Sequence, residues 1–135
     1  MSDFYGSARS NYFKVKNLEK FKKFCQDHQL EFIESDDEKG KVGFLVQTDN
    51  GCIPNGKVNS KGNYVEIDFE EELSKHLADG EVAVVVEAGN EKLKYVAGYA
   101  FAVNSKGRTV TVSTDDIYDK AKKAFKVKTI TEALY

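Results

Sequence analysis

The fold is decided by the run Val82-Ala83-Val84-Val85-Val86, which is apolar at every position. A strand buried on both faces shows such a run, whereas a strand with one wet face alternates apolar and polar residues. We therefore expect a strand in the middle of the sheet, covered on both faces. The run has five residues, well short of the roughly 20 that a membrane-spanning helix needs. No membrane partner is expected.

The next apolar segment, from Leu93 to Val103, alternates in side-chain size. Large residues occupy most odd positions, and the even positions hold Val96, Gly98, Ala100 and Ala102. A strand with this pattern has one face of large side chains and one face of small ones. Small residues on a strand let another backbone approach closely. The pattern therefore predicts a helix packed against the small face.

The rest of the chain predicts shorter strands and three capped helices. Strands are indicated at 11–16, 30–34, 42–48 and 63–67 and around Val110 and Val112. Asn17, Asp68 and the Thr114-Asp115-Asp116 turn are the expected helix caps. The third helix would turn Ile117, Ala121, Ala124 and Phe125 inward. These elements predict an α+β fold with a mainly antiparallel or mixed sheet and three helices packed against it.

The 135 residues have the usual length of one domain, so we expect a single α+β domain over 1–135. Residues 1–9 are polar and contain Gly and Ser, which indicates a flexible lead-in. Residues 49–62 collect Asn, Gly, Ser and Pro54 and predict a long mobile loop. Val58-Asn59-Ser60-Lys61-Gly62 recurs as Val103-Asn104-Ser105-Lys106-Gly107. The repeat indicates either a duplicated strand-helix unit or the same hairpin turn used twice.

Composition narrows the possible locations and partners. The formal charge of -2 gives no basic surface of the kind that nucleic-acid-binding domains usually carry. Cys25 and Cys52 form no C-x-x-C pair, so both are expected to be reduced thiols. The first residues lack the basic and apolar regions of a secretory signal. A cytoplasmic location is expected.

Catalytic chemistry finds little support in the sequence. His28 and His76 are the only histidines, and both fall near the C-terminal ends of predicted helices, where the helix dipole favours them. No G-x-S-x-G nucleophile turn accompanies them. A metal site would need Cys52, His76 and acidic residues to converge, which no local spacing indicates. We therefore expect no catalytic residues, no metal and no cofactor, that is, a protein that is not an enzyme.

Binding to a protein partner is the function that remains. The candidate contact surface combines the long loop, the N-terminal segment and an acidic turn. Its residues are Asn50, Ile53, Asn55 and Lys57, then Tyr5, Arg9 and Tyr12, then Asp36 and Asp37. An alternative is single-stranded nucleic acid, because Tyr5, Arg9, Tyr12 and Lys14 interleave aromatic rings with cations as stacking platforms do.

Three phrases of the sequence resemble a family of small uncharacterised bacterial proteins that phages and plasmids often carry. They are Ser7-Ala8-Arg9-Ser10-Asn11-Tyr12-Phe13-Lys14-Val15-Lys16, Glu87-Ala88-Gly89-Asn90-Glu91-Lys92-Leu93-Lys94-Tyr95 and Ala100-Phe101-Ala102-Val103-Asn104. The resemblance brings no activity and no functional residues with it. It implies a mobile-element setting, in which a small non-catalytic protein would block a host defence nuclease of the CRISPR or restriction type.

Overall fold

The computed structural model describes residues 5–48, 51–54, 56–58, 60–91 and 95–133. The strands within these ranges are β1 Tyr5–Ser10, β2 Leu30–Glu34, β3 Val42–Val46, β4 Gly56–Val58, β5 Tyr64–Glu66, β6 Val82–Glu91, β7 Tyr95–Asn104 and β8 Thr109–Ser113. The helices are α1 Leu18–Asp27, α2 Phe69–Ser74 and α3 Asp116–Phe125.

The main sheet has six strands in the order β2-β3-β1-β6-β7-β8, and every neighbouring pair is antiparallel. β4 and β5 form a separate two-stranded hairpin. The predicted α+β fold is confirmed. β6 lies inside the sheet, between β1 and β7, as its apolar run predicted.

One hydrophobic core fills the face of the main sheet on which α1 and α2 lie. Phe69 of α2 is central to it, because its ring contacts Phe24 of α1, Phe44 of β3 and Phe101 of β7. The ring centroids are 5.7, 5.9 and 6.3 Å apart, the range in which aromatic pairs attract. Phe101 and Val103 are buried, so the large face of β7 points into the core.

The helix starts follow the sequence. The Asn17 side chain accepts a hydrogen bond from Lys20 N (3.0 Å), and the Asp68 side chain accepts one from Glu71 N (3.1 Å). Each bond satisfies a backbone N–H that has no partner within the first turn of its helix. These two predicted caps are confirmed, whereas Asp115 at the start of α3 makes no side-chain capping hydrogen bond.

The first strand differs from its prediction. Regular pairing covers Tyr5–Ser10, whereas Phe13 and Val15 within the expected strand form only isolated bridges with Val42 and Leu77. The expected lead-in is therefore wrong for residues 5–9, which lie inside the main sheet, while residues 1–4 fall outside the described ranges. The pattern misled because small Ala8 and Ser10 form the buried side of β1 and carry no strong apolar signal.

The 49–62 segment is not one continuous loop. Gly56–Val58 pairs with Tyr64–Glu66, so Lys57 belongs to a strand. The two copies of Val-Asn-Ser-Lys-Gly each lie between antiparallel strands, and their glycines have φ of +82° (Gly62) and +86° (Gly107). Glycine adopts such angles without steric strain, as the hairpin-turn interpretation requires.

The third helix departs most from the sequence prediction. α3 has no buried residue, and the expected inward residues Ile117 and Phe125 are 58% and 73% exposed. The spacing correctly predicted an amphipathic helix, but a helical stripe does not specify what it packs against.

Candidate protein-binding surface

The face of the main sheet opposite the core is apolar and uncovered by either core helix. We call it the open face. Strand register places its members, because residues directly opposite in an antiparallel pair share a face. They are Arg9, Leu45, Val84, Val86, Ala88, Ala100, Ala102, Val110 and Val112.

One row of side chains crosses five strands of the open face. It runs from Leu45 on β3 through Arg9 on β1, Val86 on β6 and Ala100 on β7 to Val112 on β8. Val86 and Val112 are each 52% exposed. The neighbouring row of Val84, Ala102 and Val110 ends with Val110 at 68% exposure. Valines are therefore presented to solvent as a group.

Small residues on β7 form a groove between these valines. Ala100 and Ala102 lie between Val84 and Val86 on one side and Val110 and Val112 on the other. A depression of about 330 Å³ is centred there. A second one, of about 440 Å³, lies beside it over β1, β3 and β6 and is lined by Ser7, Arg9, Leu45, Val86 and Ala88, among others.

The groove corrects two sequence predictions. A helix was expected against the small face of β7, and β6 was expected to be covered on both faces. No helix in the described ranges covers this face, and Val86 is half exposed. The alternation pattern does place the small residues Ala100 and Ala102 on one face of β7. It could not show that no helix of the described part of the chain packs on that face.

Of the two arginines of the chain, Arg9 lies on the open face and Arg108 directly precedes β8 at its edge. Arg9 stands opposite Val86. Asn104 N donates to Arg108 O (3.1 Å), so Arg108 lies opposite Asn104 and continues the side of Ala102 and Val110. Arg9 is held in place, because its Nε donates to Ser10 O (3.1 Å) and its guanidinium lies 5.7 Å from the centre of the Tyr12 ring. The apolar groove thus has a fixed cation at one corner and a second cation at the opposite corner.

The site residues predicted from sequence do not form a single surface. Arg9 lies on the open face, and Tyr12 lies beneath its guanidinium. Tyr5 is 70% exposed at the start of β1. Asp36 and Asp37 lie in the turn between β2 and β3, at the end of the sheet farthest from Tyr5. The acidic turn and the N-terminal aromatic residue cannot act in one small contact.

The site residues predicted in the 49–62 loop are only partly described by the structure. Asn50 and Asn55 lie outside the described residues, as does the side chain of Lys57. Ile53 packs against the hydrophobic core, and its N–H donates to Glu87 Oε1 (2.6 Å). Gly51 lies so close to the Gly6 carbonyl that a side chain there would clash. Gly51 and Ile53 therefore pack against the sheet and do not project from it.

A polar cleft of about 600 Å³ lies on the helical side, between α2 and the β7–β8 turn. Its walls mix cations such as Lys16 and Lys106 with Asp68 and Glu70. Burial raises the pKa of Glu70, and a hydrogen bond with the Asp68 carboxyl raises it further. Asp68 already caps α2. The carboxylates of the cleft therefore stabilise the N-terminus of α2, as acidic residues near helix N-termini commonly do.

The two histidines flank Phe24 at the contact between α1 and α2. Their rings lie 4.5 Å (His28) and 4.7 Å (His76) from the Phe24 ring. His28 Nδ1 is 2.8 Å from Phe24 O, a distance that fits an N–H donating to the carbonyl. Burial lowers the pKa of His76, and the charges of His28, Lys20 and Lys16 act in the same direction against Glu72. Both histidines pack within the protein, consistent with a structural role.

Neither a metal-binding cluster nor a membrane-spanning helix occurs among the residues that the structure describes. Within them, no three His, Cys, Asp or Glu side chains come together as a metal site would require. No helix in the same ranges is both long and apolar enough to cross a membrane. Comparison with protein-family models, curated proteins and solved structures found no match to this chain.

Proposed function

We propose that this chain is a non-catalytic protein-binding module whose contact surface is the open face. The observation that carries the proposal is the set of half-exposed valines around the Ala100–Ala102 groove. Contiguous exposed apolar patches are uncommon on monomeric proteins and mark interaction sites. Covering apolar surface contributes about 25 cal/mol per Å², so a partner that fills the groove gains affinity from each valine.

The shape of the groove favours an amphipathic helix as the bound element. Such helices insert an apolar stripe into a groove, and Ala100 and Ala102 leave room for the helix backbone. Arg9 and Arg108 lie at opposite corners, about 20 Å apart from strand spacing and rise. A helix of about 13 residues spans that distance. Acidic residues near both ends of its apolar stripe would pair with the two arginines.

A more specific proposal names the biological role. The resemblance to phage- and plasmid-carried proteins favours an inhibitor of a host defence nuclease, acting in the cytoplasm. Inhibition of this kind requires a surface that occupies the target and no chemistry of its own. The open face offers such a surface.

Single-stranded nucleic acid is the competing partner. Tyr5 is exposed, and Arg9 lies four residues further along the same strand. A nucleic-acid base could stack on the Tyr5 ring. Arg9, however, is the one charged residue among those that line the depression around it, and the rest of that lining is apolar or uncharged. Phosphate binding depends on several free cations, so we favour a protein.

Affinity capture with two matched variants tests the proposal. Val86→Lys places a charge in the centre of the open face, where the half-exposed side chain allows folding. Val65→Lys makes the same change in the β4–β5 hairpin, at a residue of 39% exposure outside the main sheet. Tagged wild type and both variants are incubated with host lysate, with and without nuclease and at two salt concentrations.

We expect wild type and Val65→Lys to retain the same protein at stoichiometric amounts after nuclease treatment, and Val86→Lys to lose it. Equal retention by both variants would refute the open face as the contact surface. Capture of nucleic acid alone, lost at high salt, would refute the protein-binding module and support the alternative partner.

A further inference from the structure

The edge strand β8 lacks the features that normally block edge-to-edge association. It reads Thr109-Val110-Thr111-Val112-Ser113, with no charge and no proline, and no strand of the described residues lies on its outer side. The opposite edge strand, β2, carries the exposed charges of Glu31 and Glu34. Natural sheets protect their edges with charged residues, proline or bulges. β8 is therefore the edge at which another strand can pair.

The hydrogen bonds at its two ends show which backbone groups of β8 point outward. Asn104 N donates to Arg108 O (3.1 Å), and Thr114 N donates to Gly98 O (2.9 Å). Because pairing alternates along an antiparallel ladder, Val110 and Val112 also bond toward β7. The backbone groups of Thr109 and Thr111 then point away from the sheet. Ser113 N differs, since it donates to Asp116 Oδ2 (2.9 Å).

We propose that β8 pairs antiparallel with β8 of a second copy of this chain, about a twofold axis at Thr111. In this register each side chain of β8 lies opposite one of similar chemistry on the second copy. Val110 of one copy lies opposite Val112 of the other on the open face, and Thr109 lies opposite Ser113 on the other face. The N–H of each Thr111 donates a hydrogen bond to the C=O of Thr111 in the other copy. Matched β-branched pairs and hydroxyl pairs stabilise antiparallel strands.

Charges at the strand ends agree with the same register. Arg108 and Lys106 precede β8, and Asp115 and Asp116 follow it. Antiparallel pairing about Thr111 brings the basic end of each strand beside the acidic end of the other. The two-strand contact therefore carries complementary charges at both of its ends, whereas a parallel arrangement would place like charges together.

Such a dimer joins the two main sheets into one and makes the open faces continuous across Val110 and Val112. The contact is short, since it involves one five-residue strand from each copy. Interfaces of that size are at the weak end of the range, so the dimer should dissociate on dilution. This inference does not depend on the proposed function, because it rests on the unpaired edge of the sheet and not on what the groove binds.

Light scattering after size-exclusion chromatography, over a series of concentrations, tests the dimer. Thr111→Pro removes the outward N–H without breaking a bond to β7, because that N–H faces away from β7. Thr111→Ala alters the side chain and keeps the N–H. We expect wild type and Thr111→Ala to rise toward twice the chain mass with concentration, and Thr111→Pro to remain at one chain mass.

Amide hydrogen exchange of the wild type provides a second readout that requires no substitution. Thr109 and Thr111 amides should exchange fast in dilute solution and more slowly as concentration rises. Val110 and Val112 amides should be protected at every concentration. A wild type that keeps one chain mass throughout, or a folded Thr111→Pro that still dimerises, overturns the proposal. If Thr111→Pro does not fold, concentration-independent exchange at Thr109 and Thr111 overturns it.

Discussion

Arg9 on β1 stands directly opposite Val86 on β6, at the border between a held cation and the apolar groove of the open face. The side chain is fixed by Ser10 O and the Tyr12 ring, so little conformational entropy is lost when a partner binds beside it. A fixed charge next to an apolar contact favours partners whose acidic residue meets it. Arg9 is therefore expected to contribute to partner selection.

Reversing this charge should weaken partner binding. Arg9→Glu places a carboxylate where the partner's acidic residue is expected, and we predict about a tenfold loss of affinity, or ~1.4 kcal/mol. Lys39→Glu is the matched control, because it changes net charge equally in the exposed β2–β3 turn. Titration of the captured partner against each variant measures the effect. Equal affinities for the two variants would show that Arg9 takes no part.

The buried hydroxyl of Ser10 is predicted to stabilise the junction between β1 and β3. Its Oγ accepts from Phe44 N (2.9 Å) and donates to Asn11 O (2.7 Å). Ser10→Ala leaves the buried Phe44 N–H without that acceptor, which should cost about 1–3 kcal/mol of unfolding free energy. Ser7→Ala, on the exposed side of the same strand, should change it by less than about 0.5 kcal/mol. Urea unfolding of both variants decides, and similar losses would contradict the assignment.

Acid should destabilise the protein partly through His76. Burial lowers its pKa in the folded state below the ordinary 6.5, so the unfolded chain binds its proton more tightly. The lowered pKa of His76 therefore costs no stability above pH 6.5 and reduces the free energy of unfolding as pH drops from there toward the folded-state pKa. His76→Gln should lose less unfolding free energy than wild type between about pH 7.5 and about pH 5.5. Parallel losses in wild type and His76→Gln would show that His76 does not contribute.

Truncation of two phenylalanines should cost very different amounts of unfolding free energy. Phe69 is buried among core rings, so Phe69→Ala should cost about 3–5 kcal/mol. Phe125 on α3 is largely exposed, and Phe125→Ala should cost less than about 0.5 kcal/mol. Thermal or urea unfolding of dilute protein compares the two. A large loss from Phe125→Ala would mean that α3 packs on the sheet in solution.

Local sequence signals predicted much of the fold. The Asn17 and Asp68 caps and the internal position of β6 follow from residue types at fixed spacings. β1 was displaced in the prediction because Ala8 and Ser10 are buried yet small, and Ser10 is polar. Burial there follows from neighbouring strands, whose pairing over long sequence distances no local pattern contains.

The candidate surface was harder to predict than the fold. Val84, Val86, Ala100 and Ala102 look from sequence like parts of a doubly covered sheet, because apolar strands inside a protein and apolar strands that await a partner share one composition. Only the placement of α1 and α2 on a single face distinguishes the two cases. The loop around Ile53 misled for the opposite reason, since its polar composition hides a packed apolar residue.

A photocrosslinking amino acid in place of Val86 tests the central claim most directly, with the same substitution at Val65 as the reference. After irradiation in host lysate treated with nuclease, the account predicts one discrete protein adduct from position 86 and none from position 65. No protein adduct from position 86, or the same adduct from both positions, would contradict the claim that the open face holds the partner.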